Sequence, residues 1–519
     1  MQGRILFLLS ILIGLYSYLI FFLGVFGLLN ELSVFISLLS FAFLFSILIL
    51  RPIRLSLSFL RANMLIWTLL FLSALVNLIG VLGPELSFDA LWYHLTLPKI
   101  YIETESIKFI PGGLLYYSAM PRLIDLLYVP ALMFGNEIYA KLIHFLFGLG
   151  TAFLTYRIAS LYVNKKLSLL AALVFYSNLA VGWLSITAYI DLGRALFAAL
   201  AIYFFLLYYK KKDYKYLIFS AVAMGFETSS KLIGFSTLLS VALVLLMFDQ
   251  KNITVRVKRT FLVVLSSILV GSPWFIFSYI NTRNPIYPFF TDVYPPDFSF
   301  SMLNPLIFMQ EMLNLFLFSS DPISPIYIIV LPLIFLVYKK APKEFKILVL
   351  ISAMSLLLWY FIPKNNARFI VAYLPVFSVI SVYLLKSLKD VKLEKFLFAV
   401  IYFIVGLNIL YRGAANLKYI PTILGYESKE EFLIKNLNFD YGDYIDVGNK
   451  VSNIVGKEKV LVYGIHNLYY IDFPFVHESY AKKDKEYKYI LSRGKLSLKN
   501  KYEIIYHEGL TNTYLYEKN

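Results

Sequence analysis

The chain has no cysteine and only five histidines in 519 residues. Disulfides and thiolate metal sites are thereby excluded, and no His or Cys pair stands at ligand spacing. Charge is scarce as well: 15% of residues are Asp, Glu, Lys or Arg, against about a quarter in soluble globular proteins. Internal repeats and low-complexity tracts are absent. No small-residue cleavage site follows the first apolar run, so that run reads as a retained span rather than a signal peptide.

What is abundant is apolar length. Hydrophobic residues make up 59% of the chain, with 46 Phe and 41 Tyr. Runs long enough to cross a bilayer as helices fall at about 4–27, 32–50, 63–83, 137–160, 167–185, 190–209, 215–231, 233–248, 260–280, 323–338, 345–362, 368–386 and 396–411. The net charge of +16 would point to nucleic acid if it formed one patch. Instead the cations cluster between spans: Arg51/Arg54/Arg61, Arg157/Lys165/Lys166, Lys210/Lys211/Lys212, Arg256/Lys258/Arg259, Lys339/Lys340/Lys343 and Lys386/Lys389/Lys392/Lys395. A cytoplasmic N-terminus puts all of them on the cytoplasmic side. The expected fold is an all-α polytopic membrane protein of about thirteen transmembrane helices over residues 1–412. A small extracytoplasmic α/β or α+β domain over 413–519 follows, where charges of both signs become frequent. Its expected strands are Lys459–Gly464 and Tyr502–Tyr506, with a helix near Glu427–Leu437.

On this topology the polar groups gather at the outer membrane surface. The long loop 83–136 carries Ser87-Phe88-Asp89-Ala90-Leu91-Trp92-Tyr93-His94, an acid and an imidazole just beyond a span. A carboxylate next to hydrocarbon is a functional-site hypothesis by default; the bland alternative is that Asp89 caps the next helix. Later in the same loop, Met120–Phe134 is too short to span and reads as interfacial or re-entrant. Asp191 sits at an outer turn, where it could cap its helix or pair with Arg194 one turn on. Lys231 stands on the outer side, where the inside-positive bias gives no reason for it. Arg368 serves equally as an interfacial anchor or a phosphate ligand. His94 reads as a packed polar residue, His144 as an interhelical hydrogen-bond partner and Tyr287 as an interfacial anchor; Arg122 and Glu227 are weaker candidates. Two carboxylates and several cations at one depth suit chemistry on an anionic lipid carrier. Cations neutralise a leaving phosphate, and a carboxylate deprotonates an acceptor or holds a divalent metal.

These residues, in this order, resemble the GT-C superfamily of integral-membrane glycosyltransferases, in particular the protein O-mannosyltransferase and aminoarabinose (lipopolysaccharide sugar) transferase branch. The resemblance rests on Phe88–Pro98 after an early span, Met120-Pro121, Asn136–Leu142 and the Asp191 turn. Gly225–Lys231, Ser272-Pro273-Trp274 with Asn284–Pro288, and Arg368 before a span complete it, covering about residues 63–390. It implies a multi-pass inner-membrane transferase using a polyprenyl-phosphate-linked sugar donor and a cell-envelope acceptor (lipid, polysaccharide or protein) on the extracytoplasmic face, with inversion. It further implies Asp89 and Asp191 as catalytic carboxylates, Lys231 and Arg368 on the donor phosphate, and Tyr93 and His94 as supporting first-loop residues. Two extra spans before the usual first helix, and a single first-loop acid where some members have a pair, depart from the pattern; the second departure leaves a bound divalent metal open. A transporter or flippase of lipid-linked glycans, or a polymerase or ligase, is the competing class. A transporter would place its charges near mid-bilayer and show paired broken helices.

Overall fold

The computed structural model describes residues 2–49, 63–249, 252–295, 299–318, 323–361, 367–482, 485–498 and 501–519. The expected cluster Arg51/Arg54/Arg61 and the stretch 363–366 lie outside the described residues.

Among the described residues up to 416, the extended regular elements are helices, as the scarcity of charge requires. In hydrocarbon every backbone polar group must be satisfied within its own segment. Among the described residues, nine helices are long and apolar enough to cross a membrane. They coincide with nine of the thirteen expected spans. The other four runs are helical in pieces or shorter. Run 167–185 breaks into Lys165–Tyr176 and Leu179–Ser185, bent by 68°. Asn178 sits at the bend, its side chain accepting from the Ala180 N–H. Runs 215–231 and 233–248 become Lys215–Ser230 and Phe235–Phe248. Run 323–338 divides into short turns around Pro332, which lacks the N–H that a continuous helix would use. Thirteen uninterrupted spans are therefore not what the described residues contain.

Helix starts follow local chemistry. Asn136, Asn164 and Asn252 each cap a helix by accepting a backbone N–H one turn in. The helix ending at Leu82 is closed by a distant residue instead: Lys141 donates from Nζ to the carbonyls of Gly80 (2.9 Å), Gly83 (2.7 Å) and Pro84 (3.2 Å). Asp191–Tyr209 is buried by its neighbours throughout, whereas only 11% of Glu31–Leu48 is buried. The bundle is thus built around the helix that begins with Asp191.

After the span Met64–Leu82, the first loop turns through a π-helical turn, Ala90–His94, into a helix, Thr96–Glu103. Asp89 precedes this turn and its side chain makes no capping bond, so the capping explanation fails. Met120–Phe134 is largely packed within the protein. Its residues from Pro121 to Pro130 are buried, and the Leu123 N–H donates to the Ser229 carbonyl (2.9 Å).

The C-terminal part forms a five-stranded mixed sheet: β1 (Val460–Tyr463), β2 (Phe475–His477), β3 (Tyr489–Arg493), β4 (Tyr502–Glu508) and β5 (Thr513–Lys518), in the order β2-β1-β3-β5-β4. β1 runs parallel to β2 and β3, while β5 is antiparallel to β3 and β4. Both expected strands are present, as is the helix, Lys429–Asn436, which a Ser428/Glu431 capping box starts. The sheet docks on the first loop. Tyr470 donates its hydroxyl to the Glu85 carbonyl (2.8 Å), and Lys99 donates to the carbonyls of Tyr469 (2.9 Å) and Ile471 (2.6 Å).

Candidate active site

Four segments far apart in sequence meet at one point. Arg368 donates from Nη1 to Asp89 Oδ2 (2.7 Å), and its Nε lies 3.9 Å from Asp191 Oδ2. Lys231 donates from Nζ to Asp191 Oδ1 (2.8 Å). Asp89, Asp191, Lys231 and Arg368 therefore form one alternating chain of charge: carboxylate, guanidinium, carboxylate, ammonium. Aromatic rings wall it in, with the Arg368 guanidinium 4.9 Å from the Tyr189 ring and the Lys231 ammonium 4.3 Å from that of Phe369. Asp191 is 1% exposed at its side chain, and Asp89 17%. Asp89 is thus the carboxylate that a solute can reach.

Each of these groups is held from behind. The Tyr93 hydroxyl donates to Asp89 Oδ2 (3.0 Å), and the Asp89 N–H donates to the Tyr189 hydroxyl (3.1 Å). Burial pushes the Asp89 carboxyl up, but Arg368 first, then His94 and Lys231, outweigh it and hold it below the usual carboxylate range. Asp89 is ionised. Burial, and then the Asp89 charge, push the Tyr93 phenol well above its usual range, so it remains a donor. Asp191 opens its helix at a place set by His144. The His144 Nδ1 faces the carbonyls of Leu184 (2.8 Å) and Thr187 (2.9 Å), while the Leu192 N–H donates to Nε2 (2.9 Å). These partners put the ring proton on Nδ1, and the bonds to Leu184 and Leu192 are interhelical, as expected from sequence.

Several sequence alternatives are corrected. Arg194 does not pair with Asp191. It lies 3.3 Å from Glu227 Oε1 and donates to the Phe369 carbonyl (2.8 Å), leaving Asp191 to Lys231. Lys231 is half-buried beside Asp191, which it pairs with. His94 is a packed polar residue as read, its Nδ1 2.8 Å from Asp125 Oδ1 and separate from the charge chain; Arg122 closes this second cluster at 2.7 Å from Asp125 Oδ2. Nor is Asp89 the single acid of the first loop, because Glu85 and Asp125 are both buried in it. Glu85 accepts from the N–H groups of Leu86 (2.9 Å) and Ser87 (2.8 Å) with one oxygen and from that of Ala188 (2.6 Å) with the other. It ties the Asp89 segment to the Asp191 turn. The signal for it was Gly83-Pro84-Glu85, an acid directly at the end of a span.

Comparison with known proteins agrees with this architecture. The family model for dolichyl-phosphate-mannose-protein mannosyltransferases matches residues 127–277. The fold is similar to that of ArnT from Cupriavidus metallidurans bound to undecaprenyl phosphate, with a TM-score of 0.57 and 12% identity over 88% of this chain and 98% of that one. The same protein in the apo state gives 0.57 and 11% over the same shares. This is the GT-C fold. The Archaeoglobus fulgidus oligosaccharyltransferase in complex with Zn and sulfate is more distant, at a TM-score of 0.46 and 13% identity over 82% of this chain and 68% of that one. No curated protein matches the chain by sequence.

Within the GT-C fold, the four charged residues sit where the first loop, two helix starts and one helix end converge. Whether they also suit a divalent metal can be judged from their donors. Asp89 and Asp191 already face Arg368 and Lys231, and among the described residues no three His, Cys, Asp or Glu side chains converge. The donor set does not fit an all-protein metal cage, and no chemical step below is routed through one.

Proposed function

We propose that this protein transfers a sugar from a polyprenyl-phosphate-linked donor to a cell-envelope acceptor on the extracytoplasmic face of the membrane. The observation that carries the reading is the charge chain Asp89–Arg368–Asp191–Lys231. Two cations held by two carboxylates form a ready-made phosphate site. An arriving donor phosphate competes for Arg368 and Lys231, and the carboxylate it displaces most readily is the more exposed Asp89. Freed from Arg368, Asp89 becomes more basic at the moment an acceptor needs a base.

Transfer is then one displacement. The acceptor oxygen attacks the anomeric carbon and its proton passes to the Asp89 carboxylate. The bond from the anomeric carbon to the phosphate oxygen breaks, its electron pair stays on the phosphate, and the sugar inverts. Lys231 and Arg368 stabilise the charge growing on the leaving phosphate. Asp191, more deeply buried, keeps those two cations in register. Tyr93 holds Asp89 in place. The match to ArnT crystallised with undecaprenyl phosphate supports a polyprenyl carrier, and the mannosyltransferase match supports a glycosyl group. The domain at 413–519 lies against the first loop and supplies a face for the acceptor.

The test is to incubate the purified protein in nanodiscs with a panel of polyprenyl-phosphate sugars and envelope extract, and to follow loss of lipid-linked sugar. One donor is consumed, and Asp89→Asn slows this by about 10²- to 10⁴-fold. Consumption of no donor, or an Asp89→Asn variant as active as the original, overturns the reading.

A further inference from the structure

Between the first loop and the C-terminal sheet lies a cleft of about 680 Å³, a volume typical of ligand sites. Both its ends are tied. At one, Lys99 holds the carbonyls of Tyr469 and Ile471. At the other, Gly112 packs so tightly on Ser479 that a Cβ there would lie 1.9 Å from the Ser479 carbonyl oxygen.

The sheet-side wall includes Phe473, Pro474, Phe475 and Val476, four residues in a row. A site on one face of a sheet touches every second residue. Phe473 and Pro474 lead into β2, and Phe475 and Val476 are neighbours within it, so the cleft lies along the start of β2's open edge, β2 being the outermost strand. Register fixes which backbone groups look into it. The Val460 N–H donates to the Pro474 carbonyl (2.9 Å) and the Glu478 N–H to the Val462 carbonyl (2.9 Å). Residues 474, 476 and 478 therefore face β1, and the N–H and C=O of Phe475 face outward. Across the cleft, Lys108 and Phe109 lie outside regular secondary structure, and their backbone groups make no hydrogen bond among the described residues.

We infer that this cleft binds an extended polypeptide segment that adds to β2 as a further strand. Unpaired main-chain groups on both walls match the alternating N–H and C=O of another polypeptide, which a saccharide does not carry. Phe109, Phe475 and Tyr480 supply side-chain contacts. Resting on the transfer reading above, the segment is the acceptor's own chain. The helix Thr96–Glu103 leads from the cleft back towards Asp89. Lys99 lies ten residues from Asp89 through the π-helical turn and this helix, at most about 15 Å, which about five extended residues cover.

The probe is a fluorescein-labelled ten-residue peptide alternating Thr with Val and Lys, titrated onto the full chain in nanodiscs and read by anisotropy. A second peptide carries N-methyl groups at every second residue, and maltohexaose serves as a saccharide competitor. Binding is saturable and weakens at least tenfold on N-methylation. It weakens equally in Phe475→Pro, which removes the outward N–H at an edge position that tolerates proline, and less in Phe475→Ala, which keeps that N–H. Absence of binding, equal binding of the methylated peptide, indifference to Phe475→Pro, or displacement by maltohexaose overturns the inference. Donor consumption is measured separately. If no sugar is transferred but the binding pattern holds, the transfer reading falls and the strand site stands.

Discussion

At the scale of single residues, Arg368 does two things to Asp89: it occupies the carboxylate and keeps it ionised. Because the Arg368 charge holds the Asp89 carboxyl low, removing it must let that carboxyl protonate at a higher pH. Arg368→Gln is expected to move the acid limb of the kcat/KM profile up by about 1–3 pH units, the range an adjacent arginine depresses an aspartate. An unmoved limb would separate Asp89 from the titration. Lys231→Met is expected to raise KM for the donor about 10- to 100-fold, because a charge-assisted phosphate contact contributes about 1.5–3 kcal/mol. Titration of donor consumption against lipid-linked sugar checks this. All four members of the charge chain were legible in the sequence, since each is a charge placed where apolar runs end. Their pairing was not. Arg194 stands one turn from Asp191 and Lys231 forty residues from it, and only the packing of helices shows that the distant cation is the partner.

At the scale of elements, the acid-bearing first loop and the Asp191 turn are aligned by three backbone bonds to one carboxylate, Glu85. Glu85→Gln replaces an acceptor oxygen with an amide that cannot accept from the same N–H. The expected result is a loss of about 1–3 kcal/mol in stability, seen as a lower unfolding temperature. With it comes a fall in kcat of about tenfold at unchanged donor KM. A variant that loses stability but keeps kcat would make Glu85 structural only. Spans were readable because hydrophobic length is a composition signal, needing no knowledge of neighbours. Breaks within them were less so. The 68° bend after Tyr176 falls at Ser177-Asn178, two polar residues too few to end a long apolar run, and its cause is the asparagine cap at Asn178.

At the scale of the whole molecule, aromatic hydroxyls help Lys99 to attach the C-terminal part to the first loop. Tyr470 bonds the Glu85 carbonyl, and the Tyr469 hydroxyl donates to Glu137 Oε2 (3.3 Å), which also holds Lys429 at 2.6 Å. The double variant Tyr469→Phe/Tyr470→Phe is expected to keep the sheet folded while loosening its seat. Limited proteolysis should then cut the first loop several times faster, with thermal unfolding of the helices little changed. Cleavage at the original rate would show that other contacts hold the domain. Strands β1 and β4 and the capped helix were visible in the sequence as alternation and as a Ser-x-x-Glu box. The order of the sheet and its docking face were not, because parallel pairing joins residues whose separation leaves no local pattern.

The buried span that begins with Asp191 has a mechanical consequence. Lipid thickness acts on a protein through the helices that touch lipid, which tilt to match it. Here those are the outermost helices, Glu31–Leu48 above all. The central helix has no acyl chain to answer to. The four-residue charge chain rides on an axle while the rim adjusts, so its geometry can persist in membranes of different depth.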